Sequence, residues 1–197
     1  MAAGQGPRTV PVWDRFVRVF HWTTVTLFAL EFVTDRIQWI HQPLAYVILV
    51  LVLARVAWGF IGSRHARFTD FVRRPRAVRS YLENLRHGRA RRYLGHNPAG
   101  GAMVVAILFM LVFVIASGWL SVTPEFLHVE WMHHVHHISA HLLLLMVFAH
   151  VVGVIWSSRL HRENLVRAMI TGRKSAQVEA EDGAPAGPRI GARGPAV

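Results

Sequence analysis

At 197 residues, with 53% hydrophobic and 17% charged residues and a mean hydropathy of +0.32, the chain has the length of one domain and the composition of a membrane protein rather than a soluble one. Its net charge of +11 lies between apolar stretches, so membrane topology accounts for it better than a nucleic-acid surface does. The absence of cysteine excludes disulfides, zinc–thiolate sites, iron–sulfur clusters and covalent haem attachment.

Residues 1–16 form a polar N-terminal segment without the apolar core of a cleavable signal peptide. A first span is expected over residues 17–34, with His21 and Trp22 near its start and Glu31 near its end. An acid inside a membrane is a candidate for proton handling; for Glu31, close to Asp35, snorkelling to the interface is the favoured expectation. A short turn leads to a second span over residues 39–62, with His41 at its start and Pro43 in what reads as the first helical turn. Arg55 interrupts the far half of this span. It calls either for an anionic partner, such as a haem propionate, or for an interfacial position that it reaches by snorkelling.

Residues 63–97 carry ten arginines against two acids, Asp70 and Glu83, and do not cross the membrane. Val78, Tyr81, Leu82 and Leu85 fall at helical spacing, so residues 76–93 read either as an amphipathic helix on an anionic membrane surface or as a solvated basic loop. The third span, residues 99–122, has neither charge nor histidine. Its Gly100, Gly101 and Ala102, and later Ala116, Ser117 and Gly118, are small enough to let a helix or a flat macrocycle approach closely. The loop at residues 123–135 contains Glu125 and Glu130 and no Lys or Arg. A partner with a basic face could be steered there.

The fourth span, residues 136–159, organises the rest. His136 and His150 are 14 positions apart, which at about 100° and 1.5 Å per residue puts both on one helix face about 21 Å apart. His137 and His141 miss that face, and His133, His134 and His137 read as an outer surface cluster. After Arg159, Leu165, Val166, Met169 and Ile170 form a small apolar stripe before Gly172. From residue 175 the Ala-, Gly- and Pro-rich tail is expected to be disordered.

The N-terminal segment, the arginine-rich loop and the C-terminal tail all fall on one side of a four-span chain, which the positive-inside rule makes cytoplasmic. The four histidines then sort by depth, His21 with His150 on the cytoplasmic side and His41 with His136 on the periplasmic side. Facing imidazoles from different helices are what a six-coordinate haem iron requires, whereas zinc more often takes four ligands at one depth. With both axial positions filled by protein, electron transfer is the expected chemistry.

At these positions the chain resembles the bacterial cytochrome b561 family, together with the membrane cytochrome b subunits of nickel–iron hydrogenases. The resemblance rests on VWDRFVRVFHW (12–22), RVAWGFIGSRHARFTDFV (55–72), GHNPAGGAM (95–103), His136, and HVVGVIWSSRLHRENLVRAMITGRK (150–174). It departs at Ala45, where such proteins often have glycine. It implies an all-α membrane domain over residues 17–174, a four-transmembrane-helix bundle enclosing two haem b groups, with His21, His41, His136 and His150 as axial ligands. The expected function is electron transfer between a periplasmic redox protein (a hydrogenase, a c-type cytochrome or similar) and the quinone pool of the inner membrane, with both termini cytoplasmic. Membrane lipid is a further expected partner, and nucleic acid is not. The alternatives are a self-contained quinone reductase or superoxide oxidase, and a non-redox membrane subunit.

Overall fold

A computed structural model of the chain describes residues 9–176. The first eight residues and the expected disordered tail from residue 177 onward lie outside them. In chain order the elements are β1 (Thr9–Pro11), α1 (Arg15–Val33), α2 (Gln38–Ile61), a 3-10 turn (Arg64–Ala66), α3 (Phe68–Phe71), α4 (Pro75–Arg86), α5 (Pro98–Ser121), α6 (Glu130–Leu160), α7 (Leu165–Thr171) and β2 (Arg173–Ser175). Four of them, α1, α2, α5 and α6, are long and apolar enough to cross a membrane. Only a helix satisfies all its own backbone groups in lipid, which is why these uninterrupted apolar runs fold as they do.

The boundaries follow local chemistry. Asp14 caps α1 by accepting from the Val17 amide at 2.8 Å, and Asn97 caps α5 by accepting from Gly100 at 2.7 Å, with Pro98 at the first helical position. Both are favoured cap types. Helix α2 begins at Gln38, so Pro43 lies in its second turn rather than its first. Helix α6 starts at Glu130 and runs for 31 residues, about 46 Å against a hydrocarbon layer of about 30 Å. Its first turns therefore occupy much of what reads from sequence as a loop at residues 123–135. Glu130 in the first turn suits the positive end of the helix dipole.

Helix α1 packs on α2, α2 on α5 and α5 on α6. Ile48 and Val52 of α2, Leu108, Leu111 and Ile115 of α5, and Leu143 of α6 form the buried core, flanked by Phe20, Leu27 and Phe28 of α1. Leu143 stands midway between His136 and His150, so this apolar plug separates the two histidine depths.

The basic segment after α2 is helical over part of its length. Helix α4 packs on α5 and stops at Arg86, short of the Tyr93 limit read from the apolar spacing, because Gly88 turns the chain away with φ of +67°. At the same end of the bundle β1 pairs antiparallel with β2, Thr9 opposite Ser175, and the Val12 and Trp13 amides both donate to the Gly172 carbonyl. Arg18 donates to the Ile170 carbonyl. A ribbon joining two chain ends was not visible as a strand pattern; each strand has three residues.

Asp14 does more than cap α1. It also accepts from Trp58 Nε1 at 2.9 Å and from Ser63 Oγ at 2.5 Å, tying α1 to the end of α2. Burial alone would raise its pKa, but the bonds from Ser63, Trp58 and the Val17 amide, with the Arg55 charge, hold it below the ordinary 3.8. A depressed carboxylate stabilises the fold above its unfolded value and loses that contribution as pH falls through the folded one. Asp14→Ala is expected to lower stability by about 2 kcal/mol. In thermal melts of the purified protein the gap from wild type should hold at neutral pH and begin to close only below the ordinary 3.8.

Candidate functional site

The packing of α1 and α2 brings Glu31 against His41. Glu31 Oε2 lies 2.6 Å from His41 Nδ1, with the two side chains 12% and 23% exposed. The approach is an ion-pair distance, but the angles are off those of a formed hydrogen bond, and these atoms make no other. Glu31 therefore points inward to the histidine, and the interfacial snorkelling expected of it does not occur.

Across the bundle, His136 of α6 faces His41 with ring centroids 6.3 Å apart and planes at 86°. His136 Nδ1 donates to the Val114 carbonyl at 3.0 Å, and Ser117 Oγ lies 3.4 Å from the same nitrogen. A ring anchored in this way through Nδ1 keeps the Nε2 lone pair for a metal. Among the described residues neither His41 Nε2 nor His136 Nε2 makes a hydrogen bond. Helix α5 makes room for His136 at Gly118. A methyl group there would stand 2.8 Å from Cε1 and 2.9 Å from Nδ1 of the imidazole, inside contact distance, so the small residue is needed for the ring to lie against the helix.

These residues fit a metal held between two imidazoles. An imidazole nitrogen bonds a metal at about 2.0–2.1 Å and sits about 1.1 Å from its ring centre, so two rings on opposite sides of one ion stand about 6.2–6.4 Å apart. The observed 6.3 Å falls in that interval. Around the pair is a cavity of about 280 Å³ lined by Phe28, Ala45, Ile48, Leu111 and Ile115 among others. Glu31, Gln38, Gln42, His133, His137 and His141 also line it, and an apolar cavity with a few convergent polar groups is the pattern of a ligand site.

At the other depth His21 of α1 and His150 of α6 lie within electrostatic range of each other. His21 Nδ1 is buried without a partner. Arg55 is also here and is 3% exposed, so it does not snorkel. One guanidinium nitrogen, Nη2, donates to the Ala66 carbonyl at 3.2 Å; the group stands 5.7 Å from the Phe68 ring centre, and Asp14 supports its charge electrostatically. Its Nη1 is buried with no acceptor. An orphaned cationic donor of this kind fits an anionic group such as a propionate.

Sequence reasoning missed His96, which reads as a polar loop residue. Its ring packs 4.6 Å from both Trp13 and Phe71, and its Nδ1 is cut off from solvent with no partner. Burial, then the charges of Arg55 and Lys174, push its pKa down to about 3, so it is neutral. Its place within GHNPAGGAM was the available signal. His134, His137 and His141 are exposed, and His141 Nδ1 donates to the His137 carbonyl. No group of three or more metal-ligating side chains occurs among the described residues, so the outer histidines do not form a cluster of that kind.

Four membrane-length helices with histidines brought together at two depths are the features of a membrane-embedded b-type cytochrome. Residues 12–172 match the family described as prokaryotic cytochrome b561, and the chain belongs to that family. It is 23% identical to a probable Ni/Fe-hydrogenase B-type cytochrome subunit of Bradyrhizobium diazoefficiens, over 86% of this chain and 87% of the relative. A protein of the same description from Azotobacter vinelandii is 25% identical over 83% and 87%. The probable Ni/Fe-hydrogenase 1 B-type cytochrome subunit of Escherichia coli is 28% identical over 55% and 58%. The chain is thus a multi-pass membrane protein of b-type cytochrome character.

Proposed function

We propose that the chain holds two b haems, one between His41 and His136 and one between His21 and His150, and carries electrons across the inner membrane between a hydrogenase-type partner and quinone. The observation that carries this reading is the His41–His136 pair, 6.3 Å apart with both Nε2 atoms unengaged. A haem iron bound by two imidazoles exchanges single electrons and offers no open position to a substrate. Val114 and Ser117 orient His136, Glu31 supports His41, and Arg55 supplies a charge for a propionate. The apolar core from Ile48 to Leu143 stands between the two depths.

The names of the relatives support a hydrogenase as partner, and the acidic turn at Glu125, with Glu130 just beyond it, supports docking of a basic face on the periplasmic side. Positive charge gathered at the opposite end supports cytoplasmic termini, and residues 17–174 are the unit that does this work. Purified protein should be red, with two haems per chain reducible by dithionite and by the partner hydrogenase under hydrogen. A colourless, haem-free preparation would overturn the reading; turnover with quinol or superoxide and no partner would favour a self-contained oxidoreductase.

Glu31 gives a sharper test. A carboxylate on the outer nitrogen of a ligating imidazole raises its basicity and favours the oxidised metal. Glu31→Gln is expected to raise the midpoint potential of one haem and leave the other in place. Redox titration that finds both potentials unchanged would remove Glu31 from this role.

A further inference from the structure

Between α4 and α5 lies an open groove of about 850 Å³ that the electron-transfer reading does not use. Its floor is one face of α5, where Ala102, Ala106 and Phe109 follow each other at helical spacing. Its wall is the apolar face of α4, Val78 and Leu82. Arg73, Arg79 and Arg86 stand on the rim together with Glu83, which accepts from Arg79 Nε at 3.1 Å. The two small alanines leave the depth of the groove open, and Phe109 at its far end is 66% exposed.

Depth decides what can fill it. Phe109 is 11 residues beyond Pro98 in a 24-residue helix, which places it about 17 Å along α5, near the middle of the span and of a hydrocarbon layer about 30 Å thick. The groove thus runs from the surface into the hydrophobic layer, apolar inside and cationic at the mouth. Arg79 and Arg86 are seven positions apart and share a face of α4, about 10 Å from one another. Among the described residues Arg86 has no ion pair, Arg73 donates only to the Asp70 carbonyl, and the Arg79–Glu83 pair is solvent-exposed. With three arginines against the one carboxylate of Glu83, the rim keeps a net positive charge for an anion.

We infer that this groove is a binding site for one anionic phospholipid, its acyl chain along Ala102, Ala106 and Phe109 and its phosphate between Arg79 and Arg86. A headgroup without net charge gains nothing from the rim. A soluble anion gains nothing from an apolar floor. Basic pockets beside membrane helices are recurrent sites for acidic lipids, and here the docked helix α4 supplies both the charge and one wall. The lipid would in turn hold α4 against α5, bracing the arginine-rich segment over the histidine pair beneath it.

The test uses the intact chain in mild detergent and native mass spectrometry with added phosphatidylglycerol or phosphatidylcholine. The wild type should retain one phosphatidylglycerol under conditions that strip phosphatidylcholine. Arg79→Gln with Arg86→Gln should weaken retention about 30-fold, from the usual contribution of two arginines at an anionic headgroup. Ala106→Phe, which plugs the floor and leaves every charge in place, should abolish it; Ala106→Leu serves if the larger residue prevents normal elution. Equal retention of the two lipids, or of phosphatidylglycerol by the glutamine variant, would overturn the site. Undiminished binding to a folded plugged variant would leave only surface charge, and the groove would be the wrong location.

Discussion

Replacing His41 or His136 with alanine is expected to halve the haem content of the purified protein, and replacing His21 or His150 to remove the other half. The expectation rests on the proposed ligation, in which each pair shares one iron. Removing one imidazole would take away one of the two side chains proposed to hold each haem. A pyridine haemochrome assay should fall from two haems per chain to one for each single variant, and combining His41→Ala with His150→Ala should give a colourless protein. His134→Ala is the control: His134 is exposed and is not among the residues that line the cavity around His41 and His136, so its loss should leave both haems in place. Any of the four variants that keeps both haems with unchanged spectra would refute the assignment of that residue.

The second large effect is expected away from the histidines, in the cap that joins the arginine-rich segment to the C-terminal ribbon. Glu163 accepts from Arg92 Nη2 at 2.8 Å and from Arg92 Nε at 3.3 Å, and lies 3.7 Å from Lys174 Nζ. The side chains of Arg92, Glu163 and Lys174 are 18%, 11% and 5% exposed. Lys174 also donates to the Tyr93 carbonyl at 3.3 Å. Glu163→Gln keeps the shape and removes the charge, leaving two cations confined together. Breaking a buried pair in this way costs about 3–5 kcal/mol, and the residual exposure of Arg92 puts the expectation at about 3 kcal/mol.

Two further readouts identify the cause. Burial, followed by the Arg92 charge, depresses the pKa of Lys174, while Glu163 works against both. A lysine with a lowered folded pKa makes stability rise with pH between that value and its ordinary 10.5, because the unfolded chain binds the extra proton. The Glu163→Gln defect should therefore narrow in alkaline melts as Lys174 sheds its proton. Adding Lys174→Met should restore part of the loss at neutral pH, since it removes one of the stranded cations. If the double variant is no more stable than the single one, the ion cluster is not what closes the cap.

Local physics made the membrane architecture and the pairing of histidines by depth legible in the residues. A helix advances about 1.5 Å and turns about 100° per residue, so position along an apolar run sets depth and face before any packing is known. Only an uninterrupted helix crosses lipid without unsatisfied backbone groups, which made four spans the natural reading of four apolar runs. The tertiary structure decided which polar group each residue meets, because that depends on the rotation and adjacency of whole helices. Glu31 looked like an interfacial acid until α1 laid it against His41. His136 stood apart from its neighbour His137 by a soft angular argument until Val114 engaged its Nδ1 and Gly118 opened space for its ring. Arg92 and Glu163 are 71 positions apart, and no periodicity links them. His96 turned inward because Trp13 and Phe71, from two other segments, close over it. Periodicity sets where along a helix a group stands, and the packing of one helix on another sets its partner.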